Sequence, residues 1–156
     1  MKINEKIIPI ILGLSATLII GVLAFLSFET HYGYWLVFSF GATTFSVLVF
    51  YQADMAQPKN VFFGHVTTTL VGLFFLYLIP LPIFLTIPIA VGLGVGLMIL
   101  FNVTHPPAGG NPIIVIIGSV SFDYLLSPVI TGSVIIIVFA IVINRFILKK
   151  IYPSKK

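Results

Sequence analysis

Of the 156 residues, 59% are hydrophobic and 8% charged, with 15 phenylalanines and a mean hydropathy of +1.19. Soluble domains carry roughly a quarter charged residues, so a water-soluble fold is excluded and one integral membrane domain over 1–156 is expected. The net charge of +4 does not indicate a nucleic-acid partner, since five of the eight basic residues fall in 145–156, where they anchor the chain at a membrane face. With no cysteine, disulfides and thiolate metal sites are excluded.

Six apolar segments follow in chain order. The run at 7–28 is too long for a signal-peptide core and no A-x-A site follows it, so it reads as a retained first span. Next come 34–50, 61–79 and 84–103, the last two separated by Pro80-Leu81-Pro82. Segment 113–121 is too short to cross alone but lengthens when extended to 127, and 128–148 closes the set. A spanning helix needs roughly 20 apolar residues, so 34–50 and 113–127 are short.

Charge sets the orientation. If all six segments cross, Lys2, Lys6, Lys59 and the basic tail share one face, while Glu29, His31 and Asp123 fall on the other. Five crossings would strand Lys2 and Lys6. The positive-inside bias therefore favours six crossings with both termini cytoplasmic, and the expected fold is an all-α, polytopic membrane helix bundle of six segments; a bacterial inner (plasma) membrane is the expected location.

A shift of 68 residues sets Gly41 on Gly109, Val47 on Val115, Leu48 on Ile116 and Gly64 on Gly132. Gln57-Pro58 likewise resembles Ser127-Pro128, near the same register. In a chain this rich in glycine and aliphatics, chance supplies some matches. Taken as a repeat, 7–79 and 80–148 are two three-segment halves of opposite topology with broken or short middle helices, an architecture that recurs in transporters.

The middle of the second half is broken by Thr104-His105-Pro106-Pro107-Ala108-Gly109-Gly110-Asn111-Pro112. A residue before proline avoids helical geometry, and Gly109 and Gly110 permit unusual dihedrals. Asn111 is a natural N-cap, with Pro112 in the first turn. Non-helical backbone at membrane depth survives only when buried in protein or lining a wet cavity. The motif therefore reads as an extended piece that delivers a helix N-terminus, and such a terminus attracts anions. The bland alternative is a proline-started helix after a surface turn. Gly41-Ala42-Thr43-Thr44 would open a second, matching helix.

Other polar residues carry two readings each. His65 is an intramembrane ionisable group, hence a functional candidate, or a satisfied core histidine; Thr67, Thr68 and Thr69 suit backbone-bonded hydroxyls. His105 would donate to a ligand or tie down the loop. Lys59, beside Gln57, Pro58 and Asn60, is an anchor or the charge that recruits an anion. Gly64, Gly72, Gly92, Gly94 and Gly96 read as close-packing surfaces. No Asp or Glu lies inside a span, which favours an anion or neutral solute over a cation.

Three blocks resemble the HPP family of small integral membrane proteins, named for the tripeptide at His105-Pro106-Pro107. They are Phe40-Gly41-Ala42-Thr43, then Ala56-Gln57-Pro58-Lys59-Asn60 with Gly64-His65, and Thr104-His105-Pro106-Pro107-Ala108-Gly109. The resemblance implies four transmembrane helices, against the six segments read from hydropathy. It also implies nitrite transport, to which chloroplast and cyanobacterial members are linked. The site it implies holds Gly41, Gln57, Lys59, Asn60, His65, His105 and Gly109. After Ala108-Gly109 the chain departs from the family pattern: Gly110-Asn111-Pro112 stands where Ala-Thr or Ala-Ser and a small residue are common. A hydroxyl lost there would bear on the substrate.

The expected function is a channel or secondary transporter for a small monovalent anion, nitrite foremost, and not an enzyme. The anion would be held by neutral donors at helix N-termini: Gly41, Ala42, Thr43 and Thr44 on one side, Gly109, Gly110 and Asn111 on the other, flanked by Gln57, Lys59, Asn60, His65 and His105. No cofactor and no metal are expected; the partners are the lipid bilayer, a small inorganic anion and further copies in a homo-oligomer. The alternatives are a metal or haem redox protein using His65 and His105, and a non-transporting scaffold.

Overall fold

The computed structural model describes residues 4–30 and 36–154; Lys2, His31, Lys155 and Lys156 lie outside the described residues. Among the described residues all regular structure is helical, with α1 at Ile8–Phe28, α2 at Ser39–Val49, α3 at Pro58–Leu78, α4 at Ile83–Leu100, α5 at Asn111–Gly118 and α6 at Thr131–Val142. A wider, π-type turn at Ile143–Ile147 extends α6, and another at Leu125–Ile130 leads into it across a kink at Ser127, whose φ of −132° and ψ of 118° are not helical. Tight 3-10 turns at Asp54–Ala56 and Pro106–Gly110 lead into α3 and α5.

Four helices are long and apolar enough to cross a membrane: α1, α3, α4 and the α6 run Leu125–Ile147. The 11 residues of α2 and the 8 of α5 give rods of about 16 and 12 Å at 1.5 Å per residue, too short to span. The six segments expected from hydropathy are thus four full-length helices and two short ones. Hydropathy counts apolar residues, and the apolar residues flanking α2 and α5 are not helical.

Side-chain spacing explains the packing. Buried residues of α1 are Ser15, Ile19, Leu23 and Ser27, a single i, i+4 stripe. The rest of α1 exposes large apolar side chains such as Leu14 and Phe25, as a lipid-facing helix does. By contrast α3 is the hub, packed on α4, α5, α6 and the turn before α5. Its Gly72 allows this, because a Cβ there would meet Val115 Cβ at 2.9 Å and Pro112 Cα at 3.0 Å. Gly94 also packs closely, with Thr68 Cγ2 3.4 Å from a would-be Cβ, whereas Gly92 and Gly96 face open space. Only part of the expected glycine surface is therefore a packing surface.

The main core joins Ile19 and Leu23 of α1, Phe40, Val47 and Leu48 of α2, Val61 of α3 and Ile136 and Ala140 of α6. Asn144 Nδ2 bonds the Val47 carbonyl at 3.0 Å, satisfying one of the carbonyls that every helix end leaves free. Beside α3, the segment from Thr104 to Val120 runs from one end to the other: the Thr104 carbonyl accepts from Asn60 at the first turn, and the Val120 carbonyl accepts from Tyr77 Oη at the last. The left-handed Ser119, at φ 45°, ends α5.

Candidate functional site

The two short helices meet by their N-termini. Ser39, the first residue of α2, donates from Oγ to Oδ1 of Asn111, the first residue of α5, at 2.9 Å. Both side chains are buried. Asn111 was expected to cap α5; instead it sits inside the helix and Gly110 takes the cap position, with no side-chain cap bond. Its amide turns to α3, bonding His65 Nδ1 at 3.0 Å, Thr69 Oγ1 at 3.1 Å and the His65 carbonyl at 3.3 Å. Cross-helix partners outcompete the cap because a buried amide left unpaired is costly.

From His65 the network continues to Thr43 and His105. Thr43 Oγ1 lies 2.8 Å from His65 Nε2 and 3.0 Å from His105 Nε2, and also 3.0 Å from the Ser39 carbonyl. His105 Nδ1 is 2.6 Å from the Met55 carbonyl. The rings of His65 and His105 sit edge to face at 5.1 Å, and Phe40 closes the other side of His65 at 5.2 Å. Both histidines are fully buried.

Donor and acceptor types settle the tautomers. A carbonyl only accepts, so neutral His105 carries its proton on Nδ1 and leaves Nε2 as an acceptor. An amide N–H only donates, so His65 accepts at Nδ1 and carries its proton on Nε2. With the Thr43 hydroxyl proton turned to His105 rather than to the Ser39 carbonyl, the bonds run in one direction: Ser39 to Asn111, Asn111 to His65, His65 to Thr43, Thr43 to His105, and His105 to Met55. Bonds aligned head to tail polarise one another and strengthen. His105 lies in the connection after α4, outside the spanning helices; burial pushes its imidazole down to about 4, against the opposing pull of the Met55 carbonyl.

Close approach holds His105 in place. A Cβ on Gly64 would lie 2.7 Å from His105 Cβ and 3.1 Å from the Val103 carbonyl. His105 itself is extended, at φ −140°, as a residue before proline should be. Gly109 and Gly110, expected to supply special dihedrals, do not: they complete a 3-10 turn, Gly110 has φ −80°, and a Cβ on either would meet nothing within 4 Å.

The remaining expected residues divide. Gly41 and Ala42 do not open α2, which starts at Ser39, and both are exposed on the outside of the helix. Thr44 is buried, and its Oγ1 has no hydrogen-bond partner among the described residues. Gln57 is committed as a structural clamp: its Nε2 donates to the Tyr51 and Ala53 carbonyls and its Oε1 accepts from Ser154 N. Lys59 and Asn60 line a separate polar cavity of about 480 Å³ with Asp54, Gln57 and Asn102, at the α3 start. Sequence reasoning missed Ser39 and the Met55 carbonyl, and it read Thr69 as backbone-bonded where its Oγ1 accepts from Asn111. The signal for Ser39 was its place, four residues before Thr43, on the same helical face.

Among the described residues no group of three or more His, Cys, Asp or Glu is placed to hold a metal ion. The arrangement is a buried, internally satisfied polar chain between two opposed helix N-termini, in an apolar membrane bundle. That defines a polytopic integral membrane protein with a polar centre. The family described as HPP, transmembrane region, matches residues 2–153, and the chain belongs to it. It is also similar to a transmembrane protein of Dictyostelium discoideum, 29% identical over 125 residues, 76% of this chain and 44% of the relative. The chain thus spans less than half the length of that relative. No solved structure matches the chain.

Proposed function

We propose that this protein is a channel or secondary transporter for a small monovalent anion, with nitrite the first candidate, and not an enzyme. The observation that carries the reading is the meeting of the α2 and α5 N-termini at Ser39 and Asn111 in the buried centre. Each terminus contributes about half a positive charge, and the side chains around them are neutral donors rather than buried arginines. Such donors hold an anion weakly enough for release. The polar cavity beside Lys59 and Asn60 would form its inner mouth.

Element lengths support an inverted repeat: long, short, long for α1, α2 and α3, and again for α4, α5 and the α6 run. In this reading each short helix, with the irregular chain beside it, completes one crossing. Six passages then leave both termini on the cytoplasmic face of a bacterial plasma membrane, and the lipid-exposed face of α1 makes contacts between copies in a homo-oligomer.

The test is nitrite uptake into proteoliposomes, with chloride and nitrate as competitors, beside Asn111→Leu. Saturable uptake by the wild type, reduced at least tenfold in the folded variant (about 1.4 kcal/mol), supports the reading. Wild-type vesicles that take up none of the three anions faster than protein-free vesicles would end it.

A further inference from the structure

We infer that the His65–Thr43–His105 triad is a proton relay, so that the anion crosses together with one proton. The inference rests on the anion reading above and assigns that site its coupling ion. Its basis is geometric: two buried histidines held in opposite tautomers address the same hydroxyl with their Nε2 atoms, at 2.8 and 3.0 Å. A histidine with a purely structural role needs no hydroxyl shared with a second histidine. Here the bridge is a group that donates and accepts at once.

The proton balance is simple. A proton arrives at His65 Nδ1 as Asn111 releases its bond. The Nε2 proton of His65 passes to Thr43 Oγ1, and the Thr43 hydroxyl proton passes to His105 Nε2. His65 is left neutral in its other tautomer, Thr43 is again a hydroxyl, and His105 is an imidazolium whose Nδ1–H stays on the Met55 carbonyl. One N–H bond is gained overall, and the triad carries one positive charge until the Met55 bond opens and His105 gives its Nδ1 proton to water in the cavity at the α3 start, which leaves both histidines neutral with their tautomers exchanged.

That charge lies between two positive helix ends. An imidazolium there is unfavourable without a counter-ion, because like charges in a buried site repel strongly. An anion supplies the counter-charge, and the imidazolium in turn deepens the well for the anion. Each therefore stabilises the other in the site, which is the thermodynamic condition for coupling. The groups touching the two rings are Phe40 and Thr43 of α2, the Met55 carbonyl and Asn111 of α5, with Ser39 and Thr69 bonded to Asn111 behind it. Asp54 and Lys59, the charged residues nearest in the chain, line the cavity at the α3 start, where protons would be exchanged with water.

The experiment uses proteoliposomes loaded with a pH-sensitive dye, given an inward nitrite gradient, with protein-free vesicles as the blank. Acidification at one proton per nitrite, unchanged by an imposed potassium diffusion potential, is expected. Thr43→Val, which keeps the shape and loses the hydroxyl, should cut the coupled proton flux by about a hundredfold, and Thr43→Ser should restore it. Nitrite uptake that follows the imposed potential without acidification overturns the relay while leaving the anion reading intact. If no anion moves at all, the anion reading fails, and the relay is decided by nitrogen NMR of 15N-histidine-labelled protein in bilayers. Opposite tautomers that share a single proton on titration support it; two identical tautomers, or rings that titrate independently, overturn it.

Discussion

Gly64 and His105 are in backbone-level contact: a Cβ at position 64 would fall 2.7 Å from the His105 Cβ, closer than carbon atoms tolerate. This single missing methyl lets the chain after α4 lie against α3 and brings the His105 ring to Thr43. Since His105 is fully buried and bonded at both nitrogens, it cannot swing aside.

Gly64→Ala is accordingly expected to destabilise the protein by about 1–3 kcal/mol, the usual cost of overpacking. Gly92→Ala, in open space on α4, should be neutral or raise stability by about 1 kcal/mol through helix propensity. Thermal unfolding in detergent micelles checks the pair. Equal melting temperatures for the two variants would refute the close-approach account.

Thr43→Val should lower stability as well as coupling. The substitution leaves the His65 Nε2–H and the His105 Nε2 acceptor without their common partner, and each buried unpaired group costs about 1–3 kcal/mol. Thr43→Ser should stay within about 1 kcal/mol of the wild type. Chemical denaturation in micelles reads both, and a Val variant as stable as the Ser variant would mean the hydroxyl is not the bridge.

Acid should weaken the fold through His105. Its folded-state value of about 4 lies below the ordinary 6.5, so the unfolded chain binds a proton more readily than the folded one. The stability this difference contributes is fully present above pH 6.5 and is lost progressively as pH falls from 6.5 to 4. The melting temperature should decline across that window, and His105→Gln should flatten the decline. An unchanged slope in the variant would place the acid sensitivity elsewhere.

The C-terminal strap should behave as part of the core. Tyr152 is fully buried and its Oη donates to the Ala56 carbonyl at 2.7 Å, while Ser154 N reaches Gln57. Tyr152→Phe should cost about 1 kcal/mol and Tyr152→Ala about 3–5 kcal/mol, read by unfolding in micelles. A neutral Tyr152→Ala would show that the strap is peripheral.

Much of this molecule is legible along the chain. Membrane class and the positions of four long helices follow from apolar run length, because lipid admits only backbone that bonds to itself and helices do this locally. The break at 104–112 and the family blocks around Phe40, Gln57 and His105 follow from residue identity alone.

Which polar residues share a site was decided only by the tertiary structure. Asn111 looked like a cap and became the link between Ser39, His65 and Thr69; Gln57 looked like a ligand and became a clamp; Gly41 and Ala42 turned outward while Ser39 and Thr43 turned in. The deciding bonds join residues 22 to 72 positions apart. Local propensity and hydropathy carry no information about such partners. In a low-dielectric interior, where no water can substitute, the choice among competing partners belongs to the packed bundle as a whole.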